Sequence, residues 1–184
     1  MSILSTYPNP KSQEEDDRNR MKRMEVNDPF ALREEGTRRF KKGDYKSAFE
    51  YWTKAAELGD IVAPYKLSIL YWLGGGVEKD ERKKVYHLEE AAIAGHLEAR
   101  HNLGCHEWSN NDNAERAVKH FIIAANLGLD LAIEVLHGGY AAGMVSKEDF
   151  AAALRAHQAA SVAMKSPLRE AAEEYQTAVK AAGS

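Results

Sequence analysis

His101 and Cys105 stand four residues apart with His106 beside them, a spacing that puts an imidazole and a thiol on one turn of a helix. Such a pair could begin a zinc site, but two ligands do not complete one, and no second pair with matching spacing occurs in the chain. Gly74-Gly75-Gly76-Val77-Glu78-Lys79 has the glycine content of a phosphate cradle. It lacks the Gly-Lys-Ser/Thr ending that positions phosphate and Mg²⁺, and it follows a helical pattern rather than a strand, so a helix-to-helix turn accounts for it. Arg38-Arg39-Phe40-Lys41-Lys42 gathers positive charge around an aromatic ring and could meet an acidic peptide, a membrane surface or RNA. A solvated helix end, favoured there by the helix dipole, is the alternative. Glu89-Glu90 and Glu173-Glu174 are sequential, so on a helix they point in different directions and cannot share a substrate. No Gly-x-Ser-x-Gly, His-Glu-x-x-His or dinucleotide fingerprint occurs. The expectation is a non-enzyme with no catalytic residues, no metal and no cofactor.

The elements that position these side chains are helices. The chain has 184 residues, 28 of them alanine, the best helix former and a residue that lets helices approach closely. Its 25 basic and 28 acidic residues leave a net charge of −3, which argues against a nucleic-acid binder. A single cysteine excludes an internal disulfide framework. No apolar run approaches the roughly 18 residues that span a bilayer, and Met1 to Pro10 does not read as a secretory signal. An intracellular protein, cytoplasmic or nuclear, is expected.

The sequence also repeats itself. Lys54-Ala55-Ala56-Glu57-Leu58-Gly59-Asp60 recurs as Glu90-Ala91-Ala92-Ile93-Ala94-Gly95-His96 and as Ile123-Ala124-Ala125-Asn126-Leu127-Gly128-Leu129. The glycines lie 36 and 33 residues apart. Behind each comes a second echo: Ala63…Leu67-Ser68, Ala99…Leu103-Gly104 and Ala132…Leu136-His137. A copy upstream, Lys22 to Asp28 followed by Ala31…Glu35-Gly36, has Asn27 in place of the glycine, the usual substitute at a left-handed helix end. Each unit reads as two helices. Helix A starts near an Asp or His after the glycine; helix B starts near Asp44, Asp80, Asn113 or Ser146 and ends at the next glycine. Pro64 requires its A helix to begin at Asp60 or later.

The pattern predicts an all-α fold: an α-solenoid, wound as a right-handed superhelix, of about four helix-turn-helix repeats with helical caps. Residues 1–11 are expected to be a disordered tail and 12–164 the solenoid. Within it, a capping helix at 12–26 opens on the Ser12/Glu15 capping box, and repeats follow at about 28–59, 60–95, 96–128 and 129–164. Ser166-Pro167 then opens a C-terminal capping helix over 166–182.

These motifs resemble Sel1-like repeats, relatives of tetratricopeptide repeats. The repeat at Ala63, Leu67-Ser68, Tyr71, Gly74 to Asp80, Ala91-Ala92 and Gly95 matches the family pattern best, with Ser68 in place of its glycine. Val85-Tyr86-His87-Leu88-Glu89-Glu90-Ala91-Ala92 is similar to wording in an expanded algal Sel1 group, some of whose members carry an N-terminal RING-like zinc segment. The resemblance implies a protein–protein interaction scaffold or adaptor with a protein or peptide partner, no nucleic acid and no membrane. The alternative it raises is the substrate-recognition arm of a ubiquitin-ligase-type protein that lacks its zinc segment here. In tetratricopeptide-like stacks the A helices face a concave groove. By that analogy the groove positions are Arg33, Thr37, Phe40, Val62, Tyr65, Ile69, Trp72, Glu98, His101, Cys105, Trp108, Leu131, Glu134 and Ala141. Phe40, Trp72 and Trp108 share one register position, either as a row of binding anchors or as packing between repeats.

Overall fold

A computed structural model describes residues 10–109 and 113–163, with side chains from Glu14 onward. All of the described regular structure is helical: α1 (Pro10–Glu25), α2 (Pro29–Lys41), α3 (Tyr45–Glu57), α4 (Ala63–Leu73), α5 (Glu81–Ile93), α6 (Leu97–Ser109), α7 (Ala114–Asn126), α8 (Asp130–Ala141) and α9 over 147–163. Two compact units part between Ala94 and Gly95. In the first, α2 packs on α3, α3 on α4 and α4 on α5, with α1 laid against α2; in the second, α6 packs on α7 and α7 on α8. The helix over 166–182 lies outside the described residues.

The turns follow from residue chemistry. Gly59 and Gly128 take φ of 88° and 96°, and Asn27 takes 58° as the only described non-glycine residue with positive φ. Each lets the chain close the same bond back over the helix end: Asp28 N–H to the Arg23 carbonyl, Asp60 to Ala55, Leu129 to Ala124. The following helix is then capped. Asp28 accepts the Ala31 N–H, Asp60 the Val62 and Ala63 N–H groups, and His96 Nδ1 the Ala99 N–H. Asp44, Asp80 and Ser146 cap α3, α5 and α9 through the N–H groups of Ser47, Lys83 and Asp149. Asn113 departs from its expected role, since its side chain makes no capping bond to α7. Ser12 does too as a helix start: α1 already begins at Pro10. Pro64 falls in the first turn of α4, where its missing N–H costs no hydrogen bond.

Two of these caps carry a pH dependence. Arg23 and the Ala31 N–H hold the Asp28 carboxyl below the usual carboxylate range. The Ser47 hydroxyl and N–H, with Arg39, do the same for Asp44. A carboxyl lowered in the folded state stabilises it above its unfolded value, near 4, and loses that contribution as pH falls through the lowered value. Thermal midpoints are therefore expected to fall from about pH 4 downward. The slope should be shallower in Asp44→Asn, measured by circular dichroism between pH 6 and 2; an equal slope would remove Asp44 from the account.

Each unit's core repeats one device. The alanines that close helices B (Ala55, Ala91, Ala92, Ala124 and Ala125) are buried, and one large side chain three residues earlier fills the gap to helix A. In the first unit Trp52 of α3 lies against Gly36 of α2, where an added Cβ would stand 2.5 Å from the indole. Its Nε1–H donates to the Arg33 carbonyl at 3.1 Å, which satisfies the buried ring. In the second unit Phe121 of α7 lies against Gly104 of α6, with an added Cβ 2.7 Å from the ring. The repeat between them has Ser68 at the glycine's place and Leu88 at the aromatic's, both buried. A larger residue on one helix is matched by a smaller one on the other.

One position breaks the apolar rule. Glu35 occupies the place of Leu67 and Leu103 and is 5% exposed. Its carboxylate takes Arg39 Nε at 2.7 Å and Arg20 Nε, from α1, at 3.3 Å, with Arg38 at 3.9 Å. Arg38 also reaches Asp17 of α1 at 3.7 Å. The seam between α1 and α2 is thus largely ionic, with Met24 packed against the core beside it.

Candidate functional site

The A helices of the first unit, α2 and α4, bury one side against α3 and present the other. On α4, Ala63, Leu67, Ser68, Leu70 and Tyr71 are buried. The opposite side carries half-buried Val62, Tyr65, Lys66 and Ile69 and exposed Leu73 and Trp72, with Trp72 62% accessible. On α2, Arg33, Thr37 and Lys41 recur at intervals of four along one stripe. Arg33 is firmly held: Nε meets Asp60 at 3.0 Å, an η nitrogen meets Glu34 at 3.4 Å, and the guanidinium lies 4.7 Å from the Phe30 ring centre. Thr37 returns its hydroxyl to the Arg33 carbonyl.

The three aromatics of the shared register position divide. Phe40 turns inward to Tyr45 and Trp52, with ring centres 5.2 and 5.5 Å away. Trp108 packs on Phe121 at 6.2 Å and beside Gly139. Only Trp72 stands out into solvent. The cause is the preceding residue. Arg39 and Glu107 are polar and leave the inward place to the next ring, whereas Tyr71 takes that place itself, stacked on His87 at 5.6 Å and edge-on to Phe49 at 5.9 Å. Lys41, Lys66 and Leu73, which the register analogy passed over, also lie on this side. The signal for them was present, since Lys66 is the one charged residue of α4.

In the second unit, Leu131, Glu134, Ala141, Glu98 and Cys105 are exposed, and Glu98 approaches His96 at 3.2 Å. His101 is half-buried against the Phe121 ring, with Cys105 Sγ 3.5 Å from its Nε2. Burial pushes the His101 imidazole down and the Cys105 thiol up, so both groups are held in their neutral forms. Among the described residues no three His, Cys, Asp or Glu side chains come together as a metal site. Cys105 is expected to react with iodoacetamide at pH 7.5 several-fold more slowly than in the urea-unfolded chain. Equal rates would show that the thiolate is not suppressed in the folded chain.

The other candidate motifs are absorbed by the fold. In the Gly74 to Lys79 turn, the N–H groups of Gly74 and Gly75 both close on the Leu70 carbonyl, and Gly76 packs against the backbone of Tyr45. Two of the amides a phosphate cradle would use are therefore engaged. In the basic run, Arg38 and Arg39 face Asp17, Glu35 and Asp44.

The Sel1 repeat matches residues 32–60, 62–96 and 98–129, together more than half of the chain. The chain belongs to the Sel1 repeat family. Its fold is accordingly an all-α solenoid of helical repeats. A Sel1 repeat protein from Oxalobacter formigenes is similar over 76% of this chain, at 25% identity and a TM-score of 0.66. The chain spans 61% of that protein's length. c5321, a protective antigen of uropathogenic Escherichia coli with an SLR fold, aligns at 22% identity and a TM-score of 0.61, covering 77% of this chain and 31% of its own. Helicobacter pylori cysteine rich protein B aligns at 23% identity and a TM-score of 0.52, covering 71% and 99%. The last two likenesses concern the fold alone. No curated protein matches the sequence. Sel1 repeat proteins generally act as protein-interaction scaffolds, and no helix of the described residues is long and apolar enough to cross a membrane.

Proposed function

We propose that this Sel1 repeat protein is a non-enzymatic scaffold or adaptor that holds a peptide or helix of a partner protein against its A helices, anchored in the first unit by α4. The observation that carries this function is Trp72, a large amphipathic ring exposed among Tyr65, Ile69 and Leu73 on one side of a single helix. Rings of this kind dominate binding energy where they become buried. Arg33 and Thr37 on α2, with Val62 on α4, form the margin of the face. In the second unit the corresponding positions are Glu98, His101, Cys105, Leu131, Glu134 and Ala141. The free Cys105 thiol fits an intracellular setting, cytoplasmic or nuclear. The alternative reading, the substrate-recognition arm of a ubiquitin-ligase-type protein, would use the same face with a zinc segment joined to it. The test is capture of a partner from cell extract on the immobilised protein, compared with Trp72→Ala. A partner retained equally by both would remove the face from the mechanism.

A further inference from the structure

On the A-helix side of the first unit the charges divide into paired and unpaired ones. The two carboxylates of this side, Glu34 and Asp60, are both bound to Arg33, and Asp60 also caps α4. Glu35 is buried under its three arginines. Lys41 of α2 and Lys66 of α4 are left with no ion pair among the described residues, and the Lys66 ammonium rests 5.8 Å from the Tyr65 ring centre. α4 contains no acidic residue. The face therefore combines an apolar stripe, Tyr65, Ile69, Trp72 and Leu73, with two cations that form no ion pair among the described residues.

Resting on the scaffold function proposed above, we infer that the segment bound on the first unit is an acidic peptide with apolar anchors. Its Leu, Phe or Trp side chains cover Trp72 and Ile69, and its flanking Asp or Glu side chains meet Lys41 and Lys66. Complementary charge selects such a segment over basic ones and speeds its encounter, while the apolar contact holds it. At the positions corresponding to Lys66 and Lys41 the second unit carries Asn102 and Val135, and Ser109 and Ala142, none of them cationic, so the preference belongs to the first unit.

A phage-displayed library of random dodecapeptides, selected in parallel on the wild type, Trp72→Ala and the double reversal Lys41→Glu/Lys66→Glu, tests this. The expected outcome is net-acidic sequences with apolar residues, enriched on the wild type and lost on both variants. A fluorescein-labelled copy of the top sequence should bind the double reversal at least about tenfold more weakly by anisotropy, and Lys41→Met/Lys66→Met should fall between. Lys41 is exposed and Lys66 half-buried, and an unchanged thermal midpoint confirms that the variants fold. Enriched sequences that need Trp72 but are neutral or basic, or that ignore the reversal, overturn the acidic preference and leave the scaffold function standing. A library that does not distinguish wild type from Trp72→Ala overturns both. Self-association in light scattering that the reversal abolishes makes a second copy of this chain the occupant, and overturns the acidic partner.

Discussion

Gly36→Ala is expected to destabilise the first unit by about 1–3 kcal/mol, although alanine favours the helix by roughly 0.5–1 kcal/mol. The new Cβ would stand 2.5 Å from Cδ1 and Nε1 of Trp52. That ring is 1% exposed, so it has no free space to move into. Any shift also strains the Nε1–H bond to the Arg33 carbonyl, worth roughly 1 kcal/mol net. Gly104→Ala should lose somewhat less, because Phe121 carries no hydrogen bond that depends on its position. A double-mutant cycle makes the test sharper. Phe121→Leu alone leaves a gap and costs about 1 kcal/mol or more, but combined with Gly104→Ala it approximates the Ser68/Leu88 pairing already present in the chain. Urea midpoints should show the two changes partly cancelling. Strict additivity, or a Gly36→Ala protein more stable than the wild type, would remove the aromatic-on-glycine contact as the determinant of the seam.

Trp72→Ala is expected to separate binding from folding. At 62% exposure the ring contributes little to the core, so the thermal midpoint should move by no more than a degree or two. Loss of an aromatic anchor from the centre of an interface costs about 2–4 kcal/mol, which weakens partner binding roughly 30- to 1000-fold. Trp108→Ala should do the reverse. Its ring is packed on Phe121 inside the second unit, so removal should lower stability by about 3 kcal/mol. Isothermal titration and melting curves on the two variants read both axes. If Trp72→Ala melted early and bound normally, the ring would be a packing residue.

The repeat was legible because it depends on local chemistry. Alanine pairs, terminal glycines and Asp caps act within a few residues, so Ala124-Ala125 with Gly128 announces its helix end directly, and Asn27 could be read as a glycine substitute. The binding face was legible only in part. Which way the aromatic of the shared position turns depends on the residue before it and on rings of the next helix, as Tyr71 with Phe49 and His87 shows. The basic run looked like a patch, although Glu35 and Asp44 stand within five residues of Arg39; only Asp17, 21 residues from Arg38, is a counter-charge remote in sequence. Register analogy therefore selected Phe40 as a groove residue, although the polar Arg39 before it sends the ring to the core.

The exchange of leucine for glutamate at position 35 gives the first unit two kinds of adhesive. Between α2 and α3 the contact is apolar, and excluded salts such as sulfate strengthen it. Between α1 and α2 it runs through guanidinium and carboxylate groups, several of them partly open to solvent, and added ions screen it. One solution variable thus acts in opposite directions on neighbouring seams of the same stack. In the first unit, α1 is a helix whose attachment answers to ionic strength.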